Sequence, residues 1–146
     1  MSSIQYAILS ISLLIPSLSS ANDWVNIASS NESHLYLNMS SVKEKKQYNQ
    51  TLVQGWIKSV IFNDLTQDGL SVGDYYMSLY QTDCNEQKFG LITQTRYKKE
   101  KVFGESYQPY SVNMQYAIPE TIGAGIIESL CIANEIKQGR ITANDE

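Results

Sequence analysis

Two cysteines, Cys84 and Cys131, are the strongest constraint in this 146-residue chain, and what they can become depends on the compartment the chain folds in. The first residues address that point. From Ile4 to Ile15 the sequence IQYAILSISLLI is apolar apart from Gln5, Ser10 and Ser12, and Pro16 and a run of small residues follow. Such a run is the length of a signal-peptide core and falls short of the about 20 apolar residues a membrane span needs. The small residues Ser19 and Ala21 are placed for cleavage between Ala21 and Asn22, so residues 1–21 read as a signal peptide removed on export. The segment before the run, Met1 to Ser3, carries no Lys or Arg. With no cysteine near the cleavage point, a lipoprotein signal is not expected, nor is an integral membrane segment after cleavage. In an oxidising compartment two cysteines read as one disulfide staple rather than a metal site, because two thiols and the lone His34 leave a four-ligand zinc shell short. A free reactive thiol is the weaker alternative: neither cysteine lies in a Cys-x-x-Cys spacing or near a histidine in sequence.

The rest of the chain, residues 22–138, reads as one domain, a length that supports a single core. Hydrophobic residues make up 42% and charged residues 18%, which rules out general disorder. The net charge of −4 argues against a nucleic-acid partner, which would select a basic excess. Short β-rich runs alternate with turn signals: Trp24 to Ala28, His34 to Leu37, Tyr48 to Phe62, Tyr75 to Cys84, Phe89 to Tyr97, Val102 to Tyr107 and Val112 to Ile118. Ser40 to Gln47 and Asn63 to Gly73 read as polar connections, and Asn85 to Lys88 as a tight turn. After Pro119 the period changes. Ile122, Ile126, Leu130 and Ala133 recur at helical spacing, with Thr121 as N-cap and Cys131 at the edge of the apolar arc. Gly139 can end the helix, leaving 139–146 as a polar tail. The fold class is therefore α+β: an antiparallel β-sheet meander backed by a C-terminal helix.

Chemistry-bearing motifs are scarce. No phosphate loop is present, since Gly123 and Gly125 open a helix without a preceding strand of a βαβ unit. His34 reads as a surface histidine, and Asp64, Asp68 and Asp74 as turn residues whose spacing departs from a calcium loop. An enzyme is not expected, and no cofactor or metal is called for. Ten tyrosines and two tryptophans suit half-buried strand faces and ligand surfaces, ordinary sheet packing being the simpler reading. The basic cluster Arg96, Lys98, Lys99 and Lys101 is the densest positive feature. It reads either as a docking patch for an acidic or sulfated partner or as a lysine-rich hairpin end that discourages edge pairing.

Read in order, Trp24 with Ile27, Gly55-Trp56-Ile57, Asp83-Cys84 closing a tyrosine-rich strand, Tyr97, Ile118-Pro119-Glu120-Thr121 opening a helix and Cys131 within it form a series that resembles the bacterial surface-adhesin protein E family. The resemblance spans nearly all of the chain after residue 21. It implies an antiparallel sheet backed by a C-terminal helix, a disulfide between strand and helix, and a bacterial exported protein in which the sequons at Asn31, Asn38 and Asn49 carry no glycan. The family name further implies an adhesin for host or matrix components at the cell surface, with a protein or glycan as partner. A periplasmic inhibitor of a lysozyme-type hydrolase is the alternative. The signal reading has a direct consequence: exported protein should begin at Asn22, as measured by intact-mass spectrometry, and a cytoplasmic chain that retains Met1 would overturn both the export and the staple.

Overall fold

The computed structural model describes residues 23–142, so the expected signal peptide (1–21) and the last positions of the tail lie outside the described residues. Eight strands and one helix follow in order: β1 (Trp24–Ser29), β2 (Ser33–Asn38), β3 (Lys43–Gln47), β4 (Gln50–Ile61), β5 (Tyr75–Asp83), β6 (Lys88–Lys98), β7 (Lys101–Val102), β8 (Gln115–Tyr116) and α1 (Ile122–Lys137). All pairings are antiparallel, and β1-β2-β4-β5-β6 run side by side in chain order, which is the expected meander.

Two expectations need correcting. Ser40 to Gln47 is not only a connection, because Lys43–Gln47 forms β3 and pairs with Gln50–Gln54 around a two-residue turn in which Tyr48 takes φ 52°. Its charges hid it: a strand at a sheet edge with solvent on its outer side tolerates lysines that a central strand would not. β2 and β3 lie end to end along one edge of β4, interrupted by a 3-10 turn at Met39–Ser41. The Trp56 N–H, which falls in that gap, donates instead to Ser41 Oγ at 2.8 Å, so the interruption leaves no orphaned donor there. The second correction concerns Val102 to Ile118. Only Lys101–Val102 and Gln115–Tyr116 are strands, with one further bridge from Gln94 to Tyr107, and all of them pair in turn along the outer edge of β6. Gly104, at φ 73°, and Pro109 interrupt the intervening segment, a strap that returns along β6 and lies against Gly90.

Alternation along the strands sends Leu35 and Leu37 of β2 and Val53 and Ile57 of β4 to one face, where they meet Ile126, Leu130 and Ala133 of α1 and Val42. Leu130 and Ile57 are fully buried. The helix comes this close because Gly55 lies beneath it: a Cβ there would stand 2.6 Å from Leu130 Cδ2 and 3.2 Å from Leu37 Cδ1. Gly123 makes the same allowance for the Phe89 ring. Thr121 caps the helix as expected, accepting from the Ala124 N–H, and Gly139 follows its end at φ 68°. The first tail residue of opposite charge to the sheet edge is tied down, since Arg140 bonds Glu44 at 2.7 Å and Glu135 at 2.8 Å. Glu44 also accepts from buried Asn134, and these two bonds, Asn134 first, hold its carboxyl below the usual range.

Cys84, just past β5, and Cys131, inside α1, are bonded, with their Cα atoms 5.9 Å apart. Closing a loop of about 48 residues should stabilise the fold by about 4 kcal/mol through the unfolded chain, a large share of an ordinary domain's about 5–15 kcal/mol. Replacing either cysteine by Ser should therefore lower the thermal midpoint and free one thiol. Labelling of unfolded, unreduced protein provides the count, and two reactive thiols per wild-type chain would contradict the bond.

Candidate functional site

The sheet has two faces and one helix, so only one face receives α1. On the other, the registers line up Trp24 of β1, Tyr36 of β2, Trp56, Lys58 and Val60 of β4, Tyr75, Met77 and Leu79 of β5, and Tyr97 of β6. Each of these side chains is half-buried. Tyr75 and Tyr97, directly opposed, stack with centroids 4.8 Å apart, and the Lys58 ammonium lies 4.1 Å from the Tyr75 centroid on the neighbouring strand. Trp24, Tyr36, Lys58 and Val60 border a hollow of about 360 Å³. Stacked rings and a cation held over one of them form a stiff surface, because each side chain's rotamer is limited by its neighbour.

His34 belongs to the same face, opposite Val60. Its Nδ1 lies 2.8 Å from Ser29 Oγ, and its ring stacks on Phe62 at 4.3 Å. Among the described residues no carboxylate hydrogen-bonds to this imidazole, so a serine–histidine contact exists without the acid that would orient the ring as a base.

The basic cluster is not one patch. Arg96 and Lys98 turn toward the helix side of the sheet, beyond the end of the helix, where the Arg96 guanidinium lies 5.1 Å and the Lys98 ammonium 5.2 Å from the Phe103 ring. Lys98 Nζ also donates to the Gly69 carbonyl at 2.6 Å. Lys99 and Glu100 form the exposed β6–β7 turn, at φ 48° and 64°, and Lys101 follows it. The structure therefore brings Arg96 and Lys98 into packing and leaves Lys99 and Lys101 to solvent. The aspartates behave as turn residues. Asp74 accepts from the backbone N–H groups of Lys99 and Ser71, both at 2.9 Å, and these bonds hold its carboxyl below the usual range. Among the described residues no group of three or more His, Cys, Asp or Glu could hold a metal ion.

Asp68 anchors the 63–74 segment differently. Burial pushes its carboxyl up, but the Tyr76 hydroxyl and the Leu70 N–H, both donating to it, outweigh burial and leave it below the usual range. The same burial, together with the Asp68 contact, pushes Tyr76 up to about 12. A phenol whose folded pKa is raised contributes stability that is fully present below its unfolded pKa and is lost as pH rises through the folded one. Stability should thus decline between pH 10 and about 12. In urea unfolding across that window, Tyr76→Phe should give a shallower decline than wild type, because Tyr75 and Tyr80, also raised by burial, remain.

The disulfide and the abundance of amphipathic rings are legible in the sequence, whereas the face on which the rings gather is not. The alternating signal was present, yet which set of alternate positions the helix would cover was not visible along the chain.

No match was found among curated proteins or solved structures. A family model described as surface-adhesin protein E matches residues 24–132, which takes in every strand and the first two-thirds of the helix, with both cysteines inside it. The match covers well over half of the chain and agrees with the antiparallel sheet, the C-terminal helix and the strand-to-helix disulfide: the chain belongs to the surface-adhesin protein E family.

Proposed function

We propose that this chain is an exported, non-enzymatic binding protein that acts at the cell surface as an adhesin, holding a protein or glycan partner on the sheet face opposite the helix. The observation that supports this reading most is the aromatic surface of Trp24, Tyr36, Trp56, Tyr75 and Tyr97 with Lys58 among the rings, over which the described residues place no helix. Aromatic side chains lose little conformational entropy on contact and carry most of the binding energy in typical interfaces. Family membership supports an exported, surface location. No helix among the described residues is long and apolar enough to cross a membrane. Lys99 and Lys101 at the β6–β7 turn form a secondary, charge-steering element of the same proposal. The alternative of a hydrolase inhibitor draws little from the geometry, because the 63–74 segment and the strap that could serve as a plug are held back on the sheet by Asp68, Asp74 and the close contact at Gly90.

Cells displaying the chain should adhere to a layer of extracellular matrix. Joint replacement of Tyr36, Lys58 and Tyr75 by Ser should reduce that adherence by about tenfold or more, given hot-spot contributions of about 2 kcal/mol or more. Lys99→Glu with Lys101→Glu should act mainly through salt dependence. Undiminished adherence by the folded triple variant, with its thermal transition retained, would remove the face from the binding role.

A further inference from the structure

At the opposite end of the open face from Trp24, the chain builds a cleft. The strap returning from β7 lies against β6 at Gly90, where an added Cβ would stand 2.6 Å from Val112 Cγ1 and 2.7 Å from the Asn113 carbonyl, so strap and sheet are in direct contact. The β3–β4 hairpin tip forms the facing wall. Between them lies a hollow of about 620 Å³ with Leu52, Gln81 and Asp83 as its floor, all three at least nine-tenths buried. Lys45 on the hairpin and Lys88 on β6 line it, the Lys88 ammonium lying 4.5 Å from the Tyr116 ring centroid, and Gln47, Gln50 and Ser111 add neutral polar groups.

The floor amide is incompletely served. Gln54 Nε2 donates to Gln81 Oε1 at 2.8 Å, while Gln81 Nε2 finds only the thioether of Met114, at 3.8 Å. A thioether is a weak acceptor, and an amide nitrogen has two protons to place. A buried donor of this kind is expensive without a better acceptor. Asp83 spends Oδ1 on the backbone N–H groups of Asn85 and Glu86.

We propose that this cleft is a binding site for a carboxylated sugar. Lys45 and Lys88 suit the carboxylate, the amides of Gln47, Gln50 and Gln81 together with the Ser111 hydroxyl suit ring hydroxyls as donors and acceptors, and Leu52, Val112 and Met114 suit the C–H face of a pyranose. The volume lies in the range of small-molecule sites. A peptide is disfavoured because strand addition needs unpaired main-chain groups, and the floor strands β4 and β5 are paired on both sides here. The site is separate from the aromatic surface and does not depend on the adhesion reading.

The test titrates the folded chain at low salt with glucuronate, N-acetylneuraminate, the uncharged methyl glucoside and acetate, following backbone amide signals by NMR. Either acidic sugar should shift Lys45, Leu52, Gln81, Lys88 and Ser111 in a saturable way. Lys45→Gln with Lys88→Gln should weaken that binding about tenfold and make it less sensitive to salt. The methyl glucoside should bind more weakly than the acids, and acetate should not reproduce the shifts at Leu52 and Gln81. Absence of shifts at these residues with both acidic sugars, equal effects from acetate, or unchanged binding by the double variant would each overturn the proposal. Loss of sugar binding with matrix adherence retained would count against the cleft alone.

Discussion

One helix has to close a sheet several strands wide, and most of the structure can be understood from how it does so. A helix of 16 residues is about 24 Å long and about 10 Å across, enough to cover part of one face and nothing of the other. Its grip is concentrated at two neighbouring points. Leu130 enters the space that Gly55 leaves open, and the adjacent Cys131 is bonded to Cys84 at the end of β5. The two reinforce each other: the bond limits how far the helix can lift, and the missing side chain lets Leu130 reach Leu37 and Val42 without displacing them. With two glycines in its first turn, α1 has weak intrinsic propensity there, so its position is set by the sheet and the disulfide more than by its own sequence.

Where the helix does not reach, loops take its place. Beyond its end on the same face, the 63–74 segment buries Leu70 beside the Tyr76–Asp68 pair, and Phe103 comes under Arg96 and Lys98. On the opposite face, the strap packs directly on Gly90 and brings Met114 to Gln81. The central and Trp24 end of that face receives neither helix nor strap, and its rings are half-buried by one another.

The parts legible in the sequence were those whose pattern has a local cause. β4, β5 and β6 show runs of β-branched and aromatic residues, and α1 shows a 3.6-residue period with a threonine in front of it. β3 was hidden because Lys43-Glu44-Lys45-Lys46 satisfies an edge strand and a solvated loop equally well, and only its pairing with Gln50–Gln54 decides between them. Val112 and Met114 give the strap the composition of a strand, although they serve by packing on Gly90 rather than by pairing. The split of the basic cluster was equally out of reach: Arg96 and Lys98 share one side of β6 by alternation, but the ring and carbonyl they meet come from Phe103 and Gly69, and Gly69 lies far back in the chain.

Net charge misleads for a related reason. The chain is acidic as a whole, yet the strand positions of the open face carry Lys43, Lys45, Lys58 and Lys88 against the single carboxylate of Asp83, which is buried and engaged with backbone N–H groups. On the other side, Glu44 and Glu135 are neutralised by Arg140. Charges separated by more than a screening length of about 8–10 Å act on a partner almost independently, so a molecule approaching the open face meets a weakly basic, aromatic surface rather than the average of the chain. That is the surface an uncharged or anionic partner can approach without repulsion, and it follows from the same strand alternation that sends Leu37 and Ile57 to the helix.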